Sequence, residues 1–184
     1  MMGASMKIVI PALAGLILLA GCVSGKGSAA VHPLSAGLSA GSRVTAVRVS
    51  HDATPGVDQA FRDRFAEVVQ GRLDHCATGS TPLTVEVSLD GFEGANPGMA
   101  LLFPSQSRIS GTARMRDASG AVVGEYRIQR SLTIGGLAGA WAASTATSTM
   151  SGAFGDELCK QAFTPGEPVR TDRHNRPAPH RRHG

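Results

Sequence analysis

Aromatic side chains make up only 4% of this 184-residue sequence, with a single Trp and a single Tyr. So little aromatic surface leaves few platforms for base stacking. Long hydrophobic runs are also scarce. The longest, residues 8–20, has thirteen residues, whereas a bilayer-spanning helix needs about 20. Residues 131–155 carry no charge and have the length of a span, but they are too rich in Ser, Thr and Gly to favour lipid. Catalytic signatures are equally thin. Gly135-Gly136-Leu137-Ala138-Gly139 lies between a predicted strand and a predicted helix, yet it lacks the G-x-G-x-x-G spacing that brings a backbone up to a pyrophosphate. It reads as a tight turn. His174, His180 and His183 have no carboxylate or thiolate at ligand spacing, so no metal site is expected. No G-x-S-x-G elbow or equivalent fixes a nucleophilic serine, so a Ser-His-Asp hydrolase is not indicated.

Charge is present but unevenly placed. The net +4 conceals a body, residues 23–163, with twelve basic and twelve acidic residues. The excess lies in residues 164–184, which hold five arginines against Glu167 and Asp172. A neutral body with a basic tail is not the pattern of a nucleic-acid-binding domain, whose charge collects on a folded face. The tail has four prolines and almost no apolar side chain, so it is expected to be disordered.

The most informative stretch is Leu19-Ala20-Gly21-Cys22. It closes the short apolar run after a weakly basic start that includes Lys7, the arrangement of a signal peptide. The four residues resemble the lipobox of bacterial lipoproteins. That resemblance implies removal of residues 1–21, acylation of Cys22 (palmitate among the chains) and a membrane-tethered product of 163 residues. An ordinary secretory signal with an incidental cysteine is the alternative. Val23 and Ser24, rather than an aspartate, follow the cysteine. By resemblance to enterobacterial sorting this implies an outer-membrane lipoprotein facing the periplasm. With Cys22 acylated, Cys76 and Cys159 remain as an even pair that an oxidising compartment would join. The alternative is two buried free thiols. In that setting His75 beside Cys76 is no nucleophile pair, because the disulfide consumes the thiol.

Residues 22–42 are rich in Ser, Gly and Ala and read as a flexible tether, holding the domain roughly 25 Å from the anchor. Residues 43–163 read as one α+β domain. A first strand, 43–50, places Thr45, Val47 and Val49 on one face. Thr54-Pro55-Gly56 then starts a helix with Val57, Phe61, Phe65, Val68, Val69 and Leu73 as its stripe and an Asp58–Arg62 pair on its solvent side. Residues 83–90 and 108–117 alternate as strands. Asp117-Ala118-Ser119-Gly120 turns into a long strand, 122–134, where Arg130 interrupts the apolar face and predicts a bulge or the sheet's end. Leu137, Trp141, Met150, Phe154 and Leu158 mark a final helix. The order β-α-β-β-β-α predicts a small mixed sheet with two helices packed on one face.

Two surfaces stand out as contact candidates. Met99-Ala100-Leu101-Leu102-Phe103-Pro104 is an apolar loop, either a contact site at Leu101, Leu102 and Phe103 or a segment folded onto the core. The small residues near Gly139 and Ala143, with Leu137 and Trp141 as anchors, suit close approach by a partner or by the chain's own sheet. Arg108, Arg114, Arg116 and Arg127 share outward positions, as a basic face or as one solvated row. The lipobox, strand order and Gly-rich final helix resemble small proteobacterial outer-membrane lipoproteins of the domain-of-unknown-function type. That resemblance implies a non-enzymatic accessory or assembly role in the envelope, with an unknown envelope protein partner or self-association. From the residues themselves no cofactor, no metal and no nucleic acid is expected. The alternative is a small-ligand-binding domain or minor envelope enzyme.

Overall fold

A computed structural model describes residues 23–24, 27–50, 52, 54–94, 103, 105–134 and 145–163. Among these residues the chain forms β1 (Val23–Ser24), β2 (Ala29–His32), α1 (Ala36–Gly41), β3 (Ser42–Val49), α2 (Gln59–Cys76), β4 (Thr81–Glu93), β5 (Ser105–Arg116), β6 (Val122–Ile134) and α3 (Ala146–Ala162). One mixed sheet runs in the order β1-β6-β5-β4-β3, with β2 also paired to β6. β3 and β4 are parallel, as the intervening helix requires, and β4, β5 and β6 are antiparallel. The β-α-β-β-β-α core is the expected one.

The alternating strands bury the residues that their period selects. Leu83, Val85, Val87 and Leu89 of β4, Ile109, Ala113 and Met115 of β5, and Tyr126, Ile128 and Leu132 of β6 all face the helices. Phe61, Phe65, Val69 and Leu73 of α2 and Met150, Phe154 and Leu158 of α3 complete the layer. Each such side chain contributes about 1.5–3 kcal/mol on burial. Phe65 meets Phe154 edge to face at 5.1 Å and joins the two helices. Gly155 lets them approach closely, since a Cβ there would come within 2.8 Å of the Arg72 Cβ. Gly152 likewise faces Arg72, so these two small residues serve internal packing.

Four local expectations are corrected. Residues 29–41 are not a tether: they form β2 and α1, and Leu34 is buried in the core. The cause is long-range pairing with β6, which local composition does not encode. In β3 the register shifts between Val44 and Ala46, making Thr45 the extra residue of a bulge. Val44 therefore faces the core, and Thr45 turns out and donates from Oγ1 to the Leu83 carbonyl at 3.0 Å. Helix α2 starts after Asp58, whose Oδ1 accepts from the Phe61 N–H at 2.7 Å. Thr54–Val57 is a separate turn, with Gly56 at φ +73 against the Phe92 carbonyl. Because Asp58 caps the helix, Arg62 pairs instead with the Val57 carbonyl at 3.1 Å and with Gln59. Finally, Arg130 makes no bulge. The β5–β6 register continues through Ile109↔Arg130, and the guanidinium meets Glu157 of α3 at 2.8 Å, with the two side chains 16% and 14% exposed. An ion pair under the helix substitutes for an apolar contact at that position.

Candidate functional site

Cys76 and Cys159 form a disulfide with Cα atoms 5.9 Å apart. α2 and α3 run side by side in the same direction, so their last turns meet and bring the two thiols together. A loop closed over 83 residues stabilises the fold by about 4–5 kcal/mol in the chain-entropy treatment.

Cys22, Leu101, Leu102, Leu137, Gly139, Trp141 and Ala143 lie outside the described residues. So does the Gly135–Gly139 turn. Phe103 is described and its side chain is 60% exposed. Among the described residues no helix is long and apolar enough to cross a membrane.

The outer face of the sheet is an alternating-charge row rather than a basic patch. Arg48, Glu86, Arg114, Glu125 and His32 stand opposite one another across β3, β4, β5, β6 and β2. Arg114 reaches Glu125 at 2.8 Å, Arg116 reaches Glu86 at 2.6 Å, and Arg108 lies 3.7 Å from Glu93. Three of the four arginines singled out in the sequence are thus neutralised by carboxylates on neighbouring strands. Exposed pairs of this kind contribute about 0–1 kcal/mol each. They leave little net field for an anionic ligand.

A groove of about 560 Å³ borders β3, between α2 and the outer sheet face, lined by Arg48, Asp52, Arg62, Asp63, Glu86 and Arg114 among others. It holds charges of both signs and no histidine or cysteine. Among the described residues two ionisable groups have displaced pKa values, and both lie away from it. The Ser119 hydroxyl, aided by backbone N–H groups of the turn, holds the Asp117 carboxyl below its ordinary range. Burial pushes the Tyr126 phenol up, partly offset by the Leu34 N–H that donates to its oxygen. β3 itself is an edge. The Ser50 N–H donates to the Val87 carbonyl, so the alternate residues Val47 and Val49 turn their backbone groups outward from the sheet. Towards its start the edge is covered, by the Arg43–Thr78 bridge and by the Gln70 amide on the Val44 carbonyl.

The G-x-S-x-G spacing, expected to be absent, is present at Gly37-Leu38-Ser39-Ala40-Gly41. A nucleophile elbow needs a sharp strand-to-helix turn that exposes the hydroxyl. Here all five residues lie within α1, and Ser39 Oγ donates to the Ala162 carbonyl at 2.6 Å. The serine ties α1 to the end of α3.

No protein-family model matches the sequence, and no curated relative does either. Among solved structures, the chain is similar to the PelC dodecamer of Paraburkholderia phytofirmans, with 13% identity over 78% of this chain and all of that one, at a TM-score of 0.43. A second crystal form, of a point variant, gives 12% identity and the same TM-score. A candidate lipoprotein from Caulobacter crescentus has 17% identity over 62% of this chain and 82% of that one, at a TM-score of 0.36. Likeness of this degree carries no argument about what this chain does.

Proposed function

We propose that this chain is a lipid-anchored envelope protein, acylated at Cys22, facing the periplasm from the outer membrane and acting as a non-enzymatic accessory or assembly factor. The observation that carries the anchor is the Leu19-Ala20-Gly21-Cys22 motif at the end of the apolar run. The Cys76–Cys159 disulfide supports an oxidising compartment and leaves Cys22 as the unmatched cysteine. Two or more acyl chains, at about 0.8 kcal/mol per buried methylene, make a stable anchor where one is marginal. An accessory role requires a protein contact. The open stretch of β3 at Val47 and Val49 and the exposed Phe103 offer one.

The groove beside β3 favours a second reading, a small-ligand-binding domain. Mass spectrometry of the processed protein tests the first: the amino-terminal peptide should begin at Cys22 and carry acyl chains. Cys22→Ser should yield unprocessed precursor or soluble protein. Unchanged membrane fractionation of Cys22→Ser would refute the anchor. Crosslinking in cells separates the two functional readings, since an accessory factor yields a defined protein adduct through the β3 edge and a ligand-binding domain does not.

A further inference from the structure

The residue after Cys22 is paired to the sheet. Val23 pairs with Leu132 and Ser24 with Ser131 at the edge of β6. Ser28 Oγ then donates to the Gln129 carbonyl at 3.0 Å and accepts from the Gln129 N–H at 2.9 Å. Ala29, Ala30 and His32 continue along β6, and the Leu34 N–H donates to the Tyr126 hydroxyl at 2.8 Å. Attached at this many points, the segment is no spacer of roughly 25 Å. A group on Cys22 stands one Cα–Cα step, about 3.8 Å, from the sheet.

The register identifies the end of the sheet at which that group stands. β6 finishes at Ile134, opposite Ser105, the first residue of β5, and β4 finishes at Glu93, opposite Arg108. β1 begins at this same end. Past the Glu93–Arg108 pair, whose groups lie 3.7 Å apart, residues 105–107 of β5 and 131–134 of β6 carry no charge, while Lys26 follows β1 by two residues and the turn bonded to Phe92 leads to Asp58. Phe103, two residues ahead of β5, presents its ring to solvent here. The other end is some 40 Å away at about 3.3 Å per residue of β6. It carries Arg116, Asp117, Asp74, His75 and Lys160.

We infer that the end of the sheet at which β1 begins seats directly on the lipid surface that holds Cys22, with Phe103 in the interface and the disulfide-linked helix ends pointing away from the membrane. This rests on the lipid anchor proposed above. The physical argument has two parts. A one-residue link confines this end of the domain to the headgroup layer once the acyl chains insert, so contact there is effectively intramolecular. Dehydrating charges against a bilayer is costly, whereas an exposed aromatic ring is favoured at the interface.

The test uses the full-length acylated protein in phosphatidylcholine vesicles, with a nitroxide label on Phe103→Cys or, as the distal control, on Ala118→Cys. Both positions are exposed, so the labels leave the fold intact. Collision with oxygen should exceed collision with a water-soluble nickel chelate several-fold at position 103, with the ratio reversed at 118. Intact mass of the same sample reports the acyl chains. Acylated protein whose label at 103 is as water-exposed as that at 118 overturns the orientation and leaves the anchor standing. Protein without acyl chains on Cys22 overturns the anchor and this inference with it.

Discussion

Where β5 turns into β6, Asp117 accepts from the Ser119 N–H and hydroxyl and from the Ala121 N–H, and beyond the sheet the last turns of α2 and α3 are joined by Cys76–Cys159. Ser39 ties α1 to Ala162 near that same junction. At the opposite end, among the described residues, β5 and β6 run past the Glu93–Arg108 pair, β1 begins beside Leu132, and Phe103 faces solvent. The first end is closed by a crosslink and side-chain bonds; the second is open at Phe103 and adjoins the proposed anchor.

Perturbing the closed end should have the largest effect. Cys76→Ser with Cys159→Ser should cost about 4–5 kcal/mol, a fall of roughly 10–15 °C in Tm by calorimetry. A loss below about 1 kcal/mol would mean that packing between the helices, not the crosslink, closes that end. Between the ends, Glu157→Ala leaves the Arg130 guanidinium half-buried without its carboxylate, at about 2–3 kcal/mol by urea unfolding. Replacing both residues by Leu should return stability to within about 1 kcal/mol of the parent.

Tyr126→Phe strands the buried Leu34 N–H and should cost about 1–2 kcal/mol. It should also alter the alkaline limb. The folded-state phenol is raised above its ordinary value near 10, so the folded state keeps the proton after the unfolded chain has lost it. Stability is therefore intact below pH 10 and declines as pH rises above it. The Phe variant should lose that decline. The smallest effect belongs to the open end: Phe103→Ser should leave stability within about 0.5 kcal/mol, because the ring is exposed, while weakening contact with vesicles.

The fold was largely legible because its signals are local and periodic. Leu83, Val85, Val87 and Leu89 alternate without interruption, and Phe61, Phe65, Val69 and Leu73 repeat at helical spacing. The misses are places where a distant partner overrides composition. Residues 29–32 are all exposed and lack a strand-like face, yet they pair because β6 offers an open edge. Thr45 alternates correctly until a bulge adds one residue. Arg130 looks like a fault in β6 until Glu157 is placed above it. For the site, Cys76 and Cys159 could be paired from cysteine count and helix packing. The position of the proposed anchor relative to the sheet could not, because it depends on the Val23↔Leu132 register.

That position is the central claim, and neutron reflectometry of the acylated protein on a supported phosphatidylcholine bilayer tests it most directly. A seated domain gives protein density continuous with the headgroups, extending outward by about the 40 Å length of β6. A water-rich gap of roughly 25 Å between headgroups and domain, the span of a free twenty-residue tether, would contradict it.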